Sequence, residues 1–163
     1  MFGMLRAFGA LLFNSTSVLA PSRNGNNHEA LSERPKCTVL VIDDDSTWLD
    51  TLRPLLQEQG FDVLTCTSGA KALNMLRYGG SDIRVVLLDY NMPQLDGAET
   101  LQYMRQLNPQ VKVVALTGVD IHLLPEGFHK GVDNLIMKPC RSTELVASIN
   151  SLLGVAAAAP GLS

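Results

Sequence analysis

The sequence predicts an α/β protein in which helices cover both faces of a five-stranded parallel sheet. Two short runs, residues 85–88 and 113–116, are apolar without alternation, which is typical of strands covered on both faces. Between such runs lie stretches whose apolar side chains recur every three or four residues, as in amphipathic helices. The alternation of strand and helix patterns favours a doubly wound (βα)5 architecture with right-handed crossovers.

The predicted strands are short and rich in β-branched and aliphatic residues. They cover residues 38–42, 61–64, 85–88, 112–116 and 134–137. A helical pattern follows each strand, and Gly154 marks the end of the last one. Ser142 is the predicted N-cap of that last helix. In the first helix, Pro54 is expected to cause a kink or remove a hydrogen bond, and Trp48 is expected to be partly buried packing.

The composition excludes several classes of protein. The 163 residues include 13 basic and 16 acidic side chains, a formal net charge of −3, and 46% are hydrophobic. This balance excludes a disordered chain, a collagen-like fibre and a disulfide scaffold, and direct DNA binding is not expected without a basic cluster. Cys37, Cys66 and Cys140 are too scattered for a disulfide framework, so we expect reduced thiols in a cytoplasmic protein.

Changes in composition divide the chain into four parts. Residues 1–20 are a hydrophobic N-terminal segment, and residues 21–37 are a linker rich in Pro, Ser, Asn and Gly. Residues 38–153 hold the strand and helix patterns together with the acidic excess, and residues 154–163 are a flexible tail. The functional chemistry is therefore expected within residues 38–153.

The first 20 residues allow four interpretations. Arg6 is their only charge, and no run of about 18 uncharged apolar residues is present to span a membrane. The segment could be a signal peptide, an interfacial helix buried in a membrane or a partner, or an extra helix folded on the following domain. It could also be disordered or an upstream start of no consequence. The sequence leaves these alternatives open.

Polar residues capable of chemistry stand where the predicted strands end. They are Asp43, Asp44 and Asp45 after the first strand, Asp89 after the third, Thr117 after the fourth and Lys138 after the fifth. Ligands of doubly wound sheets bind at this edge, so we expect these side chains to converge. Carboxylates held together repel, and a divalent cation such as Mg²⁺ relieves that repulsion. Thr117 and Lys138 suit phosphoryl oxygens, so the set could place a phosphoryl group on a carboxylate.

Taken one at a time, these residues carry little information. A run of aspartates before a helix is usually an N-cap and a solvated turn, and a single strand-end threonine or lysine indicates nothing. Their occurrence in order at the ends of separate strands is the stronger signal.

A longer set of motifs surrounds these residues. The segment DYNMPQLDG, residues 89–97, has the pattern D-x-x-M-P-x-x-D-G, and VLVIDDD, VVALTG and NLIMKP stand at the ends of three other strands. In these motifs the chain resembles the receiver domain of two-component response regulators over residues 38–153. The resemblance implies a flavodoxin-like, CheY-like fold with strand order 2-1-3-4-5.

The resemblance also implies a magnesium site. Asp44, Asp89 and the backbone carbonyl of Asn91 would ligate Mg²⁺ directly, and Asp43 would contribute through a bound water. The cation would neutralise charge that develops on a transferred phosphoryl group.

The same resemblance assigns the phosphoryl chemistry. Asp89 would accept the phosphoryl group from a phosphohistidine on a histidine kinase or a histidine phosphotransfer protein. Thr117 would move its hydroxyl onto the new phosphoryl group, and Lys138 would pair with it. A cis-like bend at Pro139 would aim Lys138 inward.

Departures from the family pattern are expected to alter the output. Receivers commonly have Tyr or Phe three residues before the lysine. This chain has Leu135 there, which lacks the polar hydroxyl group of a tyrosine. Residues 119–131 contain a proline and a glycine, so the fourth helix is predicted to be short or mobile. We therefore expect an intact site with an altered Thr117 relay. Val119 removes a polar group that could position a hydrolytic water, which favours slow loss of the phosphoryl group.

The predicted function is that of a single-domain response regulator, which is no enzyme beyond catalysing its own phosphorylation and slow dephosphorylation. The pattern after Lys138 has room for one helix, so output is expected through protein contact or onward phosphotransfer. A phosphohydrolase like those of the haloacid dehalogenase family would have a second aspartate where Asn91 stands. The alternative is a pseudo-receiver that docks partners without phosphorylation, and Leu135 gives it weight.

Overall fold

The computed structural model of the chain describes residues 37–79 and 82–155. The hydrophobic N-terminal segment, nearly all of the linker and most of the tail predicted from the sequence lie outside the described residues. Within the two described ranges, none of the helices combines the length and the hydropathy that crossing a bilayer requires.

A central sheet of five parallel strands organises the fold. The strands are β1 (Thr38–Ile42), β2 (Asp62–Cys66), β3 (Ile83–Asp89), β4 (Lys112–Thr117) and β5 (Asn134–Met137). Their spatial order is β2-β1-β3-β4-β5, and every neighbouring pair is parallel. The predicted strand order is confirmed, and it sets the ends of β1 and β3 side by side inside the sheet.

Helices cover both faces of this sheet. They are α1 (Ser46–Glu58), α2 (Gly69–Tyr78), α3 (Gly97–Leu107), α4 (Glu126–Gly131) and α5 (Ser142–Leu153), with a short 3₁₀ turn at Ile121–Leu123. On one face, α1 and α5 pack through side chains such as Leu52 and Leu145. On the other face, α2, α3 and α4 pack through Ala72, Met104 and Phe128. The doubly wound architecture predicted from the sequence is confirmed.

The observed strand ends differ by a few residues from the predicted ones. The second strand begins at Asp62 because Phe61 belongs to the turn after α1, although its ring is buried in the core. This strand lies at an edge of the sheet, so Asp62 and Leu64 face solvent while Val63 packs inward. The third strand begins at Ile83, two residues earlier than the apolar run suggested.

The helix ends agree with the sequence pattern at α1 and differ from it at α5. The Asp45 carboxylate caps α1 by accepting the backbone N–H groups of Thr47 at 2.9 Å and Trp48 at 3.2 Å. The prediction that Ser142 caps α5 is wrong. Arg141 has the extended backbone of an N-cap and its carbonyl accepts the first helical hydrogen bonds, so Ser142 is already helical.

Two further sequence features have clear structural outcomes. Pro54 lies inside α1 without ending it, since the helix continues to Glu58. The predicted shortness of the fourth helix is confirmed, because α4 has only 6 residues. At the end of α5, Gly154 adopts a φ of 67°, a left-handed conformation that glycine adopts without steric cost.

All three cysteines are free thiols, with Cys37 and Cys66 buried and Cys140 half-buried. Burial raises the pKa of each of these thiols above its ordinary value. Since the thiolate is the reactive form, the structure gives them the character of packing residues rather than redox centres.

A polar network joins α3 to the loop between α4 and β5. The Arg105 guanidinium donates to the carbonyl oxygen of Gly131 at 2.8 and 2.9 Å and to the Asp133 carboxylate at 2.8 Å. The same carboxylate accepts hydrogen bonds from Lys112 Nζ and from the Val113 N–H, both at 2.9 Å. Burial acts to raise the pKa of Asp133, but these hydrogen bonds outweigh it and hold the pKa below its ordinary value.

We predict that Asp133→Asn lowers the free energy of unfolding by about 1–2 kcal/mol at neutral pH, the range for a partly exposed, charge-assisted hydrogen-bond network. The folded-state pKa of Asp133 lies below the unfolded-state value of 3.8, so the carboxylate's contribution is complete above that pH. It is lost as the pH falls through the folded-state pKa. Urea unfolding of both proteins across a pH series measures this.

The matched control is Glu126→Gln, because its ion pair with Lys130 is exposed on both sides and should contribute little. A stability difference between Asp133→Asn and the wild type that stays constant into the acidic range would contradict the prediction.

Candidate functional site

Three carboxylates meet at the carboxyl ends of β1 and β3. Asp43 and Asp44 follow β1 directly, Asp89 is the last residue of β3, and the two strands are paired neighbours. One carboxylate oxygen from each of the three residues lies within 4.8 Å of the others. Asp43 and Asp89 are 1% and 4% exposed, whereas Asp44 faces solvent. Buried carboxylates this close need a compensating positive charge.

The third aspartate of the run after β1 has a different task. The Asp45 side chain caps α1, and its own N–H donates to Asp43 Oδ1 at 3.0 Å. The interpretation of the run as an N-cap therefore applies to Asp45, while Asp43 and Asp44 lie with Asp89 in the carboxylate cluster.

Lys138 supplies the positive charge within the described part of the chain. Its ammonium donates to Asp43 Oδ2 at 2.5 Å and to Asp89 Oδ1 at 2.8 Å. Its backbone N–H donates to the Thr117 carbonyl at 2.7 Å, and the Lys138–Pro139 peptide bond is cis. One ammonium among three carboxylates leaves the cluster net negative, and hard oxygen donors in this arrangement suit a divalent cation such as Mg²⁺.

The electrostatics of this cluster shift two pKa values. Burial raises the pKa of Asp89; the hydrogen bond and charge of Lys138 oppose this, and the charges of Asp43 and Asp44 add to it. Burial acts to lower the pKa of Lys138, but the hydrogen bonds that its ammonium donates to Asp43 and Asp89 outweigh this effect and raise the pKa. Lys138 therefore stays an ammonium, and the excess charge of the site is carried by carboxylates.

Thr117, the last residue of β4, is fully buried at the same edge of the sheet. Its hydroxyl oxygen accepts the Val119 N–H at 3.0 Å and lies 3.3 Å from the Val119 carbonyl oxygen. The hydroxyl therefore holds the turn that leaves β4 in its present shape. Asn91, two residues after Asp89, is exposed.

The segment after β4 contacts the site through aromatic and apolar packing. The Tyr90 ring, next to Asp89 in the chain, meets the Phe128 ring of α4 edge-on, with centroids 4.9 Å apart. Leu135 is half-buried and packs against the same core cluster as Tyr90 and Val119. The position that usually holds an aromatic ring is thus occupied by a packed aliphatic side chain.

Gly97 supports the site in a way that the sequence pattern did not reveal. It begins α3, and its N–H donates to the Tyr90 carbonyl at 2.9 Å. A Cβ at this position would lie 2.6 Å from the Asp89 carbonyl oxygen and 2.6 Å from Tyr90 Cα. Only a residue without a side chain lets α3 approach the backbone of Asp89 this closely. The motif contains this glycine, but the reason for it is a three-dimensional contact that the sequence does not show.

The comparisons identify the family to which this arrangement belongs. Residues 39–150 match the family model described as the response regulator receiver domain. This match covers more than half of the chain, so the chain belongs to the response regulator receiver domain family.

Three similar proteins illustrate the relationship. The transcriptional regulatory protein CpxR homolog of Haemophilus influenzae is 37% identical over 116 residues, which make up 71% of this chain and 49% of that protein. The chain thus spans about half the length of this relative. A response regulator receiver domain from Clostridium thermocellum is 31% identical with a TM-score of 0.68, covering 72% of this chain and 94% of that one. The response regulator TrrA of Thermotoga maritima, solved in complex with Mg²⁺-BeF, is 27% identical with a TM-score of 0.64, covering 71% and 98%.

We predict that Gly97→Ala lowers the free energy of unfolding by about 1–3 kcal/mol, since the added Cβ must displace the backbone at Asp89 and Tyr90. Because Asp89 then moves relative to Asp43 and Asp44, the affinity for Mg²⁺ should fall as well. Urea unfolding and calorimetric titration with MgCl₂ measure the two effects.

Gly127→Ala in α4 is the control, because a Cβ there meets nothing within 4 Å. Equal stability and equal Mg²⁺ affinity of Gly97→Ala and the wild type would contradict the close-approach argument.

Proposed function

We propose that this protein accepts a phosphoryl group on Asp89 in a Mg²⁺-dependent reaction, with a phosphohistidine of a histidine kinase or a histidine phosphotransfer protein as the donor. The observation that carries the proposal is the buried Asp89 carboxylate, which lies 2.8 Å from the Lys138 ammonium and beside Asp43 and Asp44. A carboxylate held in such a site is a nucleophile rather than a surface charge.

In this proposal the metal is held by the residues that gather at the sheet edge. Asp44, Asp89 and the backbone carbonyl of Asn91 would ligate Mg²⁺ directly, and Asp43 would do so through a water. The mutual distance of 4.8 Å or less between the carboxylate oxygens supports this assignment, as does the complex of the similar protein TrrA with Mg²⁺-BeF. When bound, the cation supplies neutralisation of the charge on the transferred group.

The chain's own groups perform the transfer. A carboxylate oxygen of Asp89 attacks the phosphorus, an O–P bond forms, and the P–N bond to the donor imidazole breaks with its electron pair on nitrogen. The product is an acyl phosphate on Asp89. Lys138, already hydrogen-bonded to Asp89, pairs with a phosphoryl oxygen. The Thr117 hydroxyl gives up its hydrogen bonds to the Val119 backbone and donates to another phosphoryl oxygen.

Release of Val119 by Thr117 is the proposed signal, and its onward path differs from the family pattern. Unlike a tyrosine, Leu135 has no hydroxyl that would let its side chain exchange between a buried and a solvated position. We therefore expect the packed side chain to stay in place. The output is then a local change in the segment after β4, sensed by a contacting protein in the cytoplasm, or else the phosphoryl group passes to a further histidine.

A second candidate function is a docking module that acts without phosphorylation. Leu135 favours it, because the substitution removes the aromatic partner of the usual switch. Intact Asp43, Asp89 and Lys138 favour the acceptor function instead.

We predict a single phosphoryl adduct after incubation with acetyl phosphate and MgCl₂, and its absence without Mg²⁺ or in Asp89→Asn. Intact-mass spectrometry measures this directly. Asp50→Asn, at an exposed position of α1, is the matched control and should be modified like the wild type. Because Val119 offers no polar side chain to a hydrolytic water, the adduct should outlast a time scale of seconds. A wild type that gains no mass would contradict the proposal and favour the docking module.

We predict that phosphorylation shifts the backbone amide resonances near Val119 strongly and those near Leu135 weakly. The Leu135→Tyr variant should extend the shifts to its own position, because a tyrosine can exchange buried for solvated states. Two-dimensional NMR of both proteins with Mg²⁺ and beryllofluoride provides the measurement. A large rearrangement across residues 120–135 of the wild type would show that the ordinary relay operates without the aromatic ring.

A further inference from the structure

Trp48 lies next to the acceptor site and has no part in the reaction proposed above. It is the third residue of α1, and the Lys138 ammonium lies over its ring at 6.0 Å from the centroid. The same ammonium bonds to the carboxylates of Asp43 and Asp89 at 2.5 and 2.8 Å. The Lys138 ammonium is therefore hydrogen-bonded to two carboxylates and lies beside the face of the indole ring.

The orientation of the indole ring is fixed from two directions. Its side chain packs against the core cluster formed by α1, α5 and the sheet. Its Nε1 atom is buried and has no hydrogen-bond partner among the described residues. At the backbone, Asp45 accepts the Trp48 N–H at 3.2 Å. The indole is thus packed against the core on one side and lies beside Lys138.

Lys138 has room to leave its carboxylate partners. A cavity of about 410 Å³ adjoins it, lined by Asp43, Asp45, Trp48, Lys138, Pro139 and Cys140. The lysine side chain is 28% exposed, and its four-carbon stem is flexible, so solvent competes for the ammonium. Trp48 supplies the aromatic face of this cavity, where a cation is attracted to the ring quadrupole.

We propose that Trp48 is a positioning residue for Lys138. The indole face and the two carboxylates hold the ammonium between them, so that Lys138 stays beside Asp89 rather than in solvent when the phosphoryl group arrives. Trp48 touches no reacting atom and acts through Lys138 alone. This inference rests on the proposed acceptance of a phosphoryl group by Asp89.

The test compares Trp48→Leu, which keeps apolar bulk without a ring, with Trp48→Phe, which keeps a ring of weaker quadrupole. The rate constant for phosphorylation by acetyl phosphate at saturating Mg²⁺ should fall about fivefold in Trp48→Leu, the size expected for one cation–π contact at a partly exposed site, and by less in Trp48→Phe. Urea unfolding of each variant verifies that it is folded, and Trp48→Phe keeps the test decisive if the leucine variant is not.

A double-mutant cycle separates positioning from a structural role. In a Lys138→Met background, Trp48→Leu should leave the slower rate unchanged, because the residue through which Trp48 acts is gone. The same loss in both backgrounds would overturn the proposal, and so would equal rates for Trp48→Leu and the wild type. A wild type without any adduct would overturn the acceptor function itself.

An NMR chemical shift tests the contact between Trp48 and Lys138 without phosphorylation of the protein. The methylene protons next to the Lys138 ammonium should resonate upfield in the wild type because of the indole ring current. This shift should vanish in Trp48→Leu and persist in the Asp50→Asn control. Methylene resonances at ordinary positions in the wild type would overturn the proposal even if Asp89 accepts a phosphoryl group.

Discussion

The bond of one ammonium to two buried carboxylates is the interaction on which the site depends. Lys138 reaches partners that lie 95 and 49 positions away in the chain, Asp43 and Asp89, and so joins the ends of β5, β1 and β3. Two carboxylates at 1% and 4% exposure would be too costly to keep ionised without it. With Asp44 counted, one ammonium faces three carboxylates, so the cluster is short of two positive charges and the carboxyl end of the sheet is receptive to a cation.

This charge arrangement requires a backbone that places three strand ends within the reach of one lysine. The parallel sheet provides it, because β1 lies beside β3 and β4 separates β3 from β5. Local contacts then set the fine positions. The Tyr90 N–H bonds to the Leu116 carbonyl at 2.9 Å, which fixes the chain just after the acceptor, and Gly97 allows α3 to close over the same segment. The chemistry therefore depends on backbone contacts as much as on the polar side chains.

The sequence predicted the architecture well because burial leaves a periodic record. Val85 through Leu88 are fully buried, as their unbroken apolar run indicates, and the strand-end positions of Asp89 and Thr117 follow from it. Features that depend on contacts between distant residues were harder to predict from the sequence. The start of α5 is set by the backbone of Arg141 rather than by the side chain of Ser142. The nearness of Trp48 to Lys138 comes from the packing of α1 and α5 on the same face of the sheet, which no local pattern reports.

The network around Arg105 has a mechanical consequence for α4. Gly131, the last residue of this six-residue helix, is anchored by its carbonyl to Arg105 in the last turn of α3. This anchor lies near the start of β4, whereas the acceptor lies at the carboxyl ends of the strands. The segment that leads into the helix is held by the Thr117 hydroxyl, by a His129 contact to the Ile121 carbonyl at 2.7 Å and by the burial of Leu124 in the core. The two ends of the helix are therefore held by different interactions. Charged and polar groups hold the Gly131 end, whereas one hydroxyl and apolar packing hold the other end, beside the exposed Leu123 of the 3₁₀ turn.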